Sequence, residues 1–115
     1  MKTTIFELQL SLLATRVRYE KKCAEELAIT LGKYGEIIAM IGEVNNHDLK
    51  EAALASQQRT ETEMYVANQR AEAFQEAYNK MLLGFSAPRC MNELLVRLND
   101  LDAMFGSQLG EDIPF

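Results

Sequence analysis

The feature that most constrains this chain is the length and regularity of its apolar seams. Phe6, Leu10, Leu13, Val17, Glu20, Ala24, Leu27, Leu31, Tyr34, Ile38 and Ile41 follow one another at alternating steps of four and three. A mean spacing of 3.5 residues holds side chains on one face of an α-helix and forms the line along which two helices pack. Glu20 is the one charged interruption. Thr4-Ile-Phe-Glu7 has the spacing of a capping box, in which threonine and glutamate satisfy free backbone N–H groups at a helix start. Ile5, Leu8 and Leu12 widen the apolar face, so the N-terminal end is expected to touch more than one neighbour. Gly32, Gly35 and Gly42 each cost about 1 kcal/mol relative to alanine inside a helix. The seam nevertheless keeps its phase through them. A continuous helix from about residue 4 to 44, with room for a bend near Gly32 to Gly35, is therefore expected. A helix ending at Gly32, with Glu36 to Val44 as a separate element, is the alternative.

Asn45-Asn46-His47 reads as a turn, because these residues accept backbone shapes that helices refuse. Asp48-Leu-Lys-Glu51 repeats the capping spacing for a second helix, about 48–84. Its seam runs Leu49, Ala53, Ser56, Thr60, Met64, Ala67, Ala71, Phe74, Tyr78, Met81 and Phe85, small in the first half and large in the second. Ser86-Ala-Pro88 stops and restarts the chain. A third helix, about 87–105, carries Met91, Leu94, Leu95, Leu98, Leu101 and Phe105, and Gly106 is placed to end it. The sequence predicts an all-α chain: an elongated antiparallel hairpin roughly 55–60 Å long, a shorter third helix, and a flexible tail. The helical domain is 1–106 and the tail is 107–115. Such a unit buries little per residue, so two copies side by side, a homodimer, are expected.

With 115 residues, a formal charge of −5 and a pI near 4.9, the chain lacks the basic balance that sequence-independent coating of DNA requires. Arg16, Arg18, Lys21 and Lys22 form the one basic cluster, a possible nucleic-acid face. No aromatic residues interleave those charges as a base-stacking platform requires, and Lys21 and Lys22 stand four residues before Glu25 and Glu26, at ion-pairing distance on a helix. Nucleic-acid binding is therefore not favoured. Cys23 and Cys90 read as two reduced thiols packed as small apolar groups, with a helix-stapling disulfide as the alternative. No apolar run approaches the roughly 20 residues that cross a bilayer. Glu7, Gln9, Arg16 and Arg18 spoil the signal-peptide likeness of the first residues, and a cytoplasmic, unprocessed chain is expected.

Catalysis finds little footing. The single histidine, His47, falls in the expected turn, and no H-x-x-x-H, E-x-x-H, C-x-x-C, glycine-rich phosphate loop or G-x-S-x-G occurs. No catalytic residue, metal ligand or cofactor is expected, and Asp48-x-x-Glu51 is taken up by capping.

The tail is different. Ser107-Gln108-Leu109-Gly110 reads as a short connector, followed by Glu111-Asp112-Ile113-Pro114-Phe115. Phe115 offers a large apolar ring and an α-carboxylate on one residue, which a greasy pocket with a cation at its rim captures together. Pro114 lowers the ordering entropy lost on binding, Ile113 adds an apolar contact, and Glu111 and Asp112 steer towards a basic ridge.

This arrangement resembles the C-terminal tip of bacterial single-stranded DNA-binding proteins, which ends in acidic residues followed by Ile-Pro-Phe. In that family the tip recruits replication, recombination and repair enzymes, RecQ-type helicases and exonuclease I among them. The resemblance implies that Phe115 and Pro114 fill the partner's pocket with Ile113 beside them, while Asp112 and Glu111 match the acidic portion. It covers five residues only. The family's strand-built OB-fold and its long Gly/Gln/Pro-rich linker have no counterpart here. The expectation is a helical adaptor, borne by a phage, a mobile element or a host, that recruits or blocks such an enzyme. The alternatives are a coiled-coil assembly or chaperone protein with an incidental tail, or a nucleic-acid-binding protein using Arg16, Arg18, Lys21 and Lys22.

Overall fold

The computed structural model describes the backbone of residues 4–109 and the side chains of residues 4–105. It forms three helices, α1 (Ile5–Val44), α2 (His47–Leu82) and α3 (Ala87–Leu109). α1 is one helix straight through Gly32, Gly35 and Gly42. It starts on Thr4, whose hydroxyl accepts from the Glu7 N–H at 3.1 Å, the threonine half of the expected capping box.

The hairpin turn is tighter than the sequence suggests. Asn45 ends α1 in the left-handed conformation at φ 54°, which asparagine tolerates better than most residues. Asn46, not Asp48, then caps α2, its side-chain oxygen accepting from Leu49 N–H at 3.1 Å. His47 consequently lies inside the first turn of α2, 3.2 Å from Glu51. At the far end, Gly84 takes φ 96°, the Phe85 N–H donates to the Lys80 carbonyl and the Gly84 N–H to that of Met81. This pair of bonds is a Schellman stop, which needs a residue without Cβ at that position. Ser86 caps α3 through its hydroxyl and its carbonyl, which accept from Arg89 and Cys90. α3 runs on through Gly106 to Leu109, so Ser107, Gln108 and Leu109 belong to the helix rather than to a connector. One glycine costs a helix less than the turn of backbone hydrogen bonds it would forfeit by stopping.

α1 packs along α2, and α3 packs back on α2, giving a rod of 63 × 29 × 20 Å. Every seam position of α1 from Leu10 to Ile41 is buried or half-buried, as is every α2 position from Ala53 to Met81. The two seams therefore close on each other within one chain. Phe6, Leu49 and Phe85, at the ends, are exposed.

Burial is concentrated at one end. Leu13 and Val17 of α1, Ala73, Phe74, Ala77 and Met81 of α2, and Cys90, Leu94 and Leu98 of α3 form one core. Beyond the reach of α3 the molecule is two helices thick, and Leu27, Leu31, Tyr34 and Ile38 are only half-buried. Thr60, buried there, has its hydroxyl satisfied by the Ser56 carbonyl at 2.9 Å. On α3, Cys90 rather than Leu95 takes the core position of the first turns; Leu95 is 42% exposed. Cys23 is half-buried and Cys90 buried, both as free thiols.

Candidate functional site

The acidic–Ile-Pro-Phe tip, Glu111 to Phe115, lies outside the described residues. What the structure gives is the point from which it departs. α3 returns antiparallel along α2, and the Phe105 ring meets Tyr65 edge-on at 5.8 Å between centroids. Tyr65 stands at the middle of α2, so α3 ends, at Leu109, near mid-length of the rod. From there, residues 110–115 reach at most about 20 Å even fully extended.

The basic cluster is divided by the fold. Arg16 turns inward, bonding Glu20 at 2.9 Å and laying its guanidinium over the rings of Phe74, at 5.2 Å, and Tyr19, at 5.0 Å. Arg18, Lys21 and Lys22 remain exposed. Lys21 borders a shallow groove of about 680 Å³ whose α2 wall is largely amide, from Asn68, Gln69, Gln75 and Asn79. Tyr65 is the aromatic residue of that lining, and the acidic Glu72 and Glu76 share the wall, which disfavours a phosphate backbone. The structure thus brings together three of the four cationic residues named from sequence and assigns the fourth to the interior.

The interior it joins is a charged junction of all three helices. Glu20, the seam's polar interruption, is almost wholly buried. Burial pushes its carboxyl above the ordinary carboxylate range, opposed by the nearby positive charges of Arg16 and Arg70. Arg70 in turn bonds Asp102 of α3 at 3.0 Å. The charges of α1, α2 and α3 therefore close on one another where the hairpin receives the third helix. Sequence reasoning missed this network, and the signal was present: Arg70 falls between Val66 and Ala73 on a second face of α2.

A second line of charge runs along the outside of the α2–α3 contact. Lys80 meets Glu93 at 2.8 Å and Glu76 at 3.4 Å, Arg89 meets Glu93 at 3.3 Å, and Arg97 pairs with Glu76. The hydrogen bond from Lys80 holds the Glu93 carboxyl below its usual range, and the same bond raises Lys80. A cleft of about 100 Å³ beneath these side chains is floored by Ala73, Ala77, Cys90 and Leu94. These exposed pairs set the phase of α3 on α2 more than they stabilise it.

Among the described residues no three His, Cys, Asp or Glu side chains gather as a metal-holding group, and no helix is long and apolar enough to cross a membrane. Compared with family models, curated proteins and solved structures, the chain matches none of them.

Proposed function

We propose that the chain is a helical adaptor that docks through Glu111-Asp112-Ile113-Pro114-Phe115 onto a bacterial enzyme of DNA replication, recombination or repair. The observation that carries this reading is the order of those five residues at the end of the sequence, acidic pair first and phenylalanine last. The partner's site is a hydrophobic pocket with a cation at its rim: the Phe115 ring enters the pocket, its carboxylate meets the cation, and Pro114 limits the entropy lost. Glu111 and Asp112 accelerate encounter with a basic ridge, so association slows as salt rises.

The body gives the tip a distinctive reach. A tether of at most about 20 Å keeps the rod against whatever the tip holds, where a long linker would let it swing free. Docking thus brings a rigid helical surface next to the enzyme, which suits an inhibitor or a placement factor. The inward turn of Arg16 leaves Arg18, Lys21 and Lys22 of that cluster for any nucleic acid, a small positive patch on a chain of net charge −5.

The test is binding of the full chain, and of a chain lacking Phe115, to purified exonuclease I, with a single-stranded DNA-binding protein tail peptide as competitor. Binding that needs Phe115 and yields to the peptide supports the docking function. A chain extended past Phe115 by two residues should also lose binding, because it moves the carboxylate. Binding indifferent to Phe115, or none, overturns the proposal.

A further inference from the structure

α1 carries a second heptad line on the face turned away from α2. Ile5, Leu8, Leu12, Thr15, Tyr19, Lys22, Glu26, Ile29, Lys33, Glu36, Met40 and Glu43 follow the same steps of three and four, with Ile37 and Val44 one position further round. Every one of these residues is exposed. The line is apolar from Ile5 to Leu12 and carries charges from Lys22 onward, with Ile29 and Met40 among them. Ile5, Leu8, Leu12, Tyr19, Ile29, Ile37, Met40 and Val44 are exposed by between 40% and 77%. A soluble helix that already has one buried seam has no need of a second, and large apolar side chains repeated at seam spacing mark a contact surface.

We infer that this face is the interface of a homodimer in which two α1 helices pair antiparallel over their full length about a two-fold axis at Ala24. That axis is the midpoint of α1, Ile5–Val44. It places Lys22 of each copy level with the partner's Glu26, Tyr19 with the partner's Ile29, Leu8 with the partner's Met40, and Thr15 with the partner's Lys33. Leu12 and Ile5 stand opposite the partner's Glu36 and Glu43, and the partner's Ile37 and Val44 lie next to them and supply the apolar contact. The pattern is self-complementary: the two lysine–glutamate layers fall symmetrically about the axis, and the apolar layers of Tyr19 with the partner's Ile29 and of Leu8 with the partner's Met40 lie outside them. Among the described residues no ion pair within the chain engages Lys22 or Glu26. A parallel pairing instead sets Lys22 against Lys22, Glu26 against Glu26 and Lys33 against Lys33, and like charges across a seam exclude it. The apolar side chains expose on the order of 800 Å² per copy, the amount a stable interface buries on each side. The face lies apart from the tip, so the inference stands independently of the docking function.

Cys23 lies beside the axis and Cys90 is buried at 1% exposure, which supplies a direct probe. The experiment is sedimentation equilibrium of the full-length protein across a range of concentrations, together with cross-linking by a short bismaleimide. A dimer is expected, cross-linked through Cys23 and not in Cys23→Ser. Leu8→Asp, at a residue 58% exposed in the single chain, should give a folded monomer with unchanged helical circular dichroism. Lys22→Glu and Glu26→Lys should each raise the dimer dissociation constant by roughly tenfold or more, and the double variant should bring it back within a few-fold. A monomer at every concentration, or a dimer that survives Leu8→Asp and ignores both charge changes, overturns the inference.

Discussion

The two ends of this rod are built from the same two seams and differ in one partner. At one end, α3 covers the hairpin, and Leu13, Phe74, Met81 and Cys90 are closed off almost completely. At the other, Leu27, Leu31, Tyr34 and Ile38 hold the same seam positions on α1 yet stay half-exposed. Two helices can hide only a narrow stripe from water, whereas a third turns that stripe into a core with walls on every side. The difference teaches that seam regularity sets how helices align, while the number of elements around the seam sets how much each contact is worth.

The sharpest way to break this contrast is to cut a side chain of matching role in each half. Phe74→Ala should cost about 3–5 kcal/mol and Leu31→Ala roughly 1–2, read from urea midpoints of the two variants. Native-state hydrogen exchange should agree, with amides of residues 28–60 opening well before those of 66–81. Equal costs would show that the arm is covered by something the single chain does not contain.

A smaller effect is expected at the boundary between the halves. Asp102→Ala leaves the Arg70 guanidinium without its α3 partner and should cost about 1–3 kcal/mol. The loss should weaken protection of α3 more than that of the arm. No change in α3 exchange would mean that the apolar contacts of Leu94, Leu98 and Leu101 hold the helix alone.

In the arm, the three helical glycines have open space where a Cβ would go, with nothing within 4 Å. Gly35→Ala should therefore raise stability by up to about 1 kcal/mol, and slow exchange of the arm selectively. The smallest effect is a pH dependence. Burial raises the Glu20 carboxyl, so the folded chain keeps a proton there that the unfolded chain has already released. Stability contributed by this group accordingly falls as pH rises through the window just above 4.5. Glu20→Gln should flatten that part of the profile of thermal midpoint against pH, and an unaltered slope would place the ionisation elsewhere.

Much of the architecture was legible in the sequence because heptad spacing is a direct image of helix contact. The α1 seam was readable even through three glycines, since phase survives a residue that contributes no side chain. The second contact face of α2 was not. Val66, Ala73 and Ala77 are small, Arg70 stands among them, and alanine marks a helix's interior and its surface alike. Its partner Cys90 reads as a packed small apolar group but not as a member of the α3 seam, because a small side chain near the helix start carries little periodic signal. The extension of α3 over Gly106 was missed because glycine signals a stop only when the backbone turns left-handed, as Gly84 does. Of the candidate sites, the tip is legible as residue order alone. The withdrawal of Arg16 from the basic cluster depends on the Phe74 ring of α2, which meets it only once the helices are packed, while Glu20 and Tyr19 stand within about a turn of it on α1.

The early end of α3 has a further consequence. The described part of α3 ends beside the centre of a 63 Å rod and not at one of its tips. A partner gripped from that position is held at the waist of a crossbar, with an arm projecting to either side. Such a body shades a strip of the partner's surface far wider than the pocket that anchors it. Under the docking proposed above, an object this small would hinder traffic along its partner out of proportion to its mass.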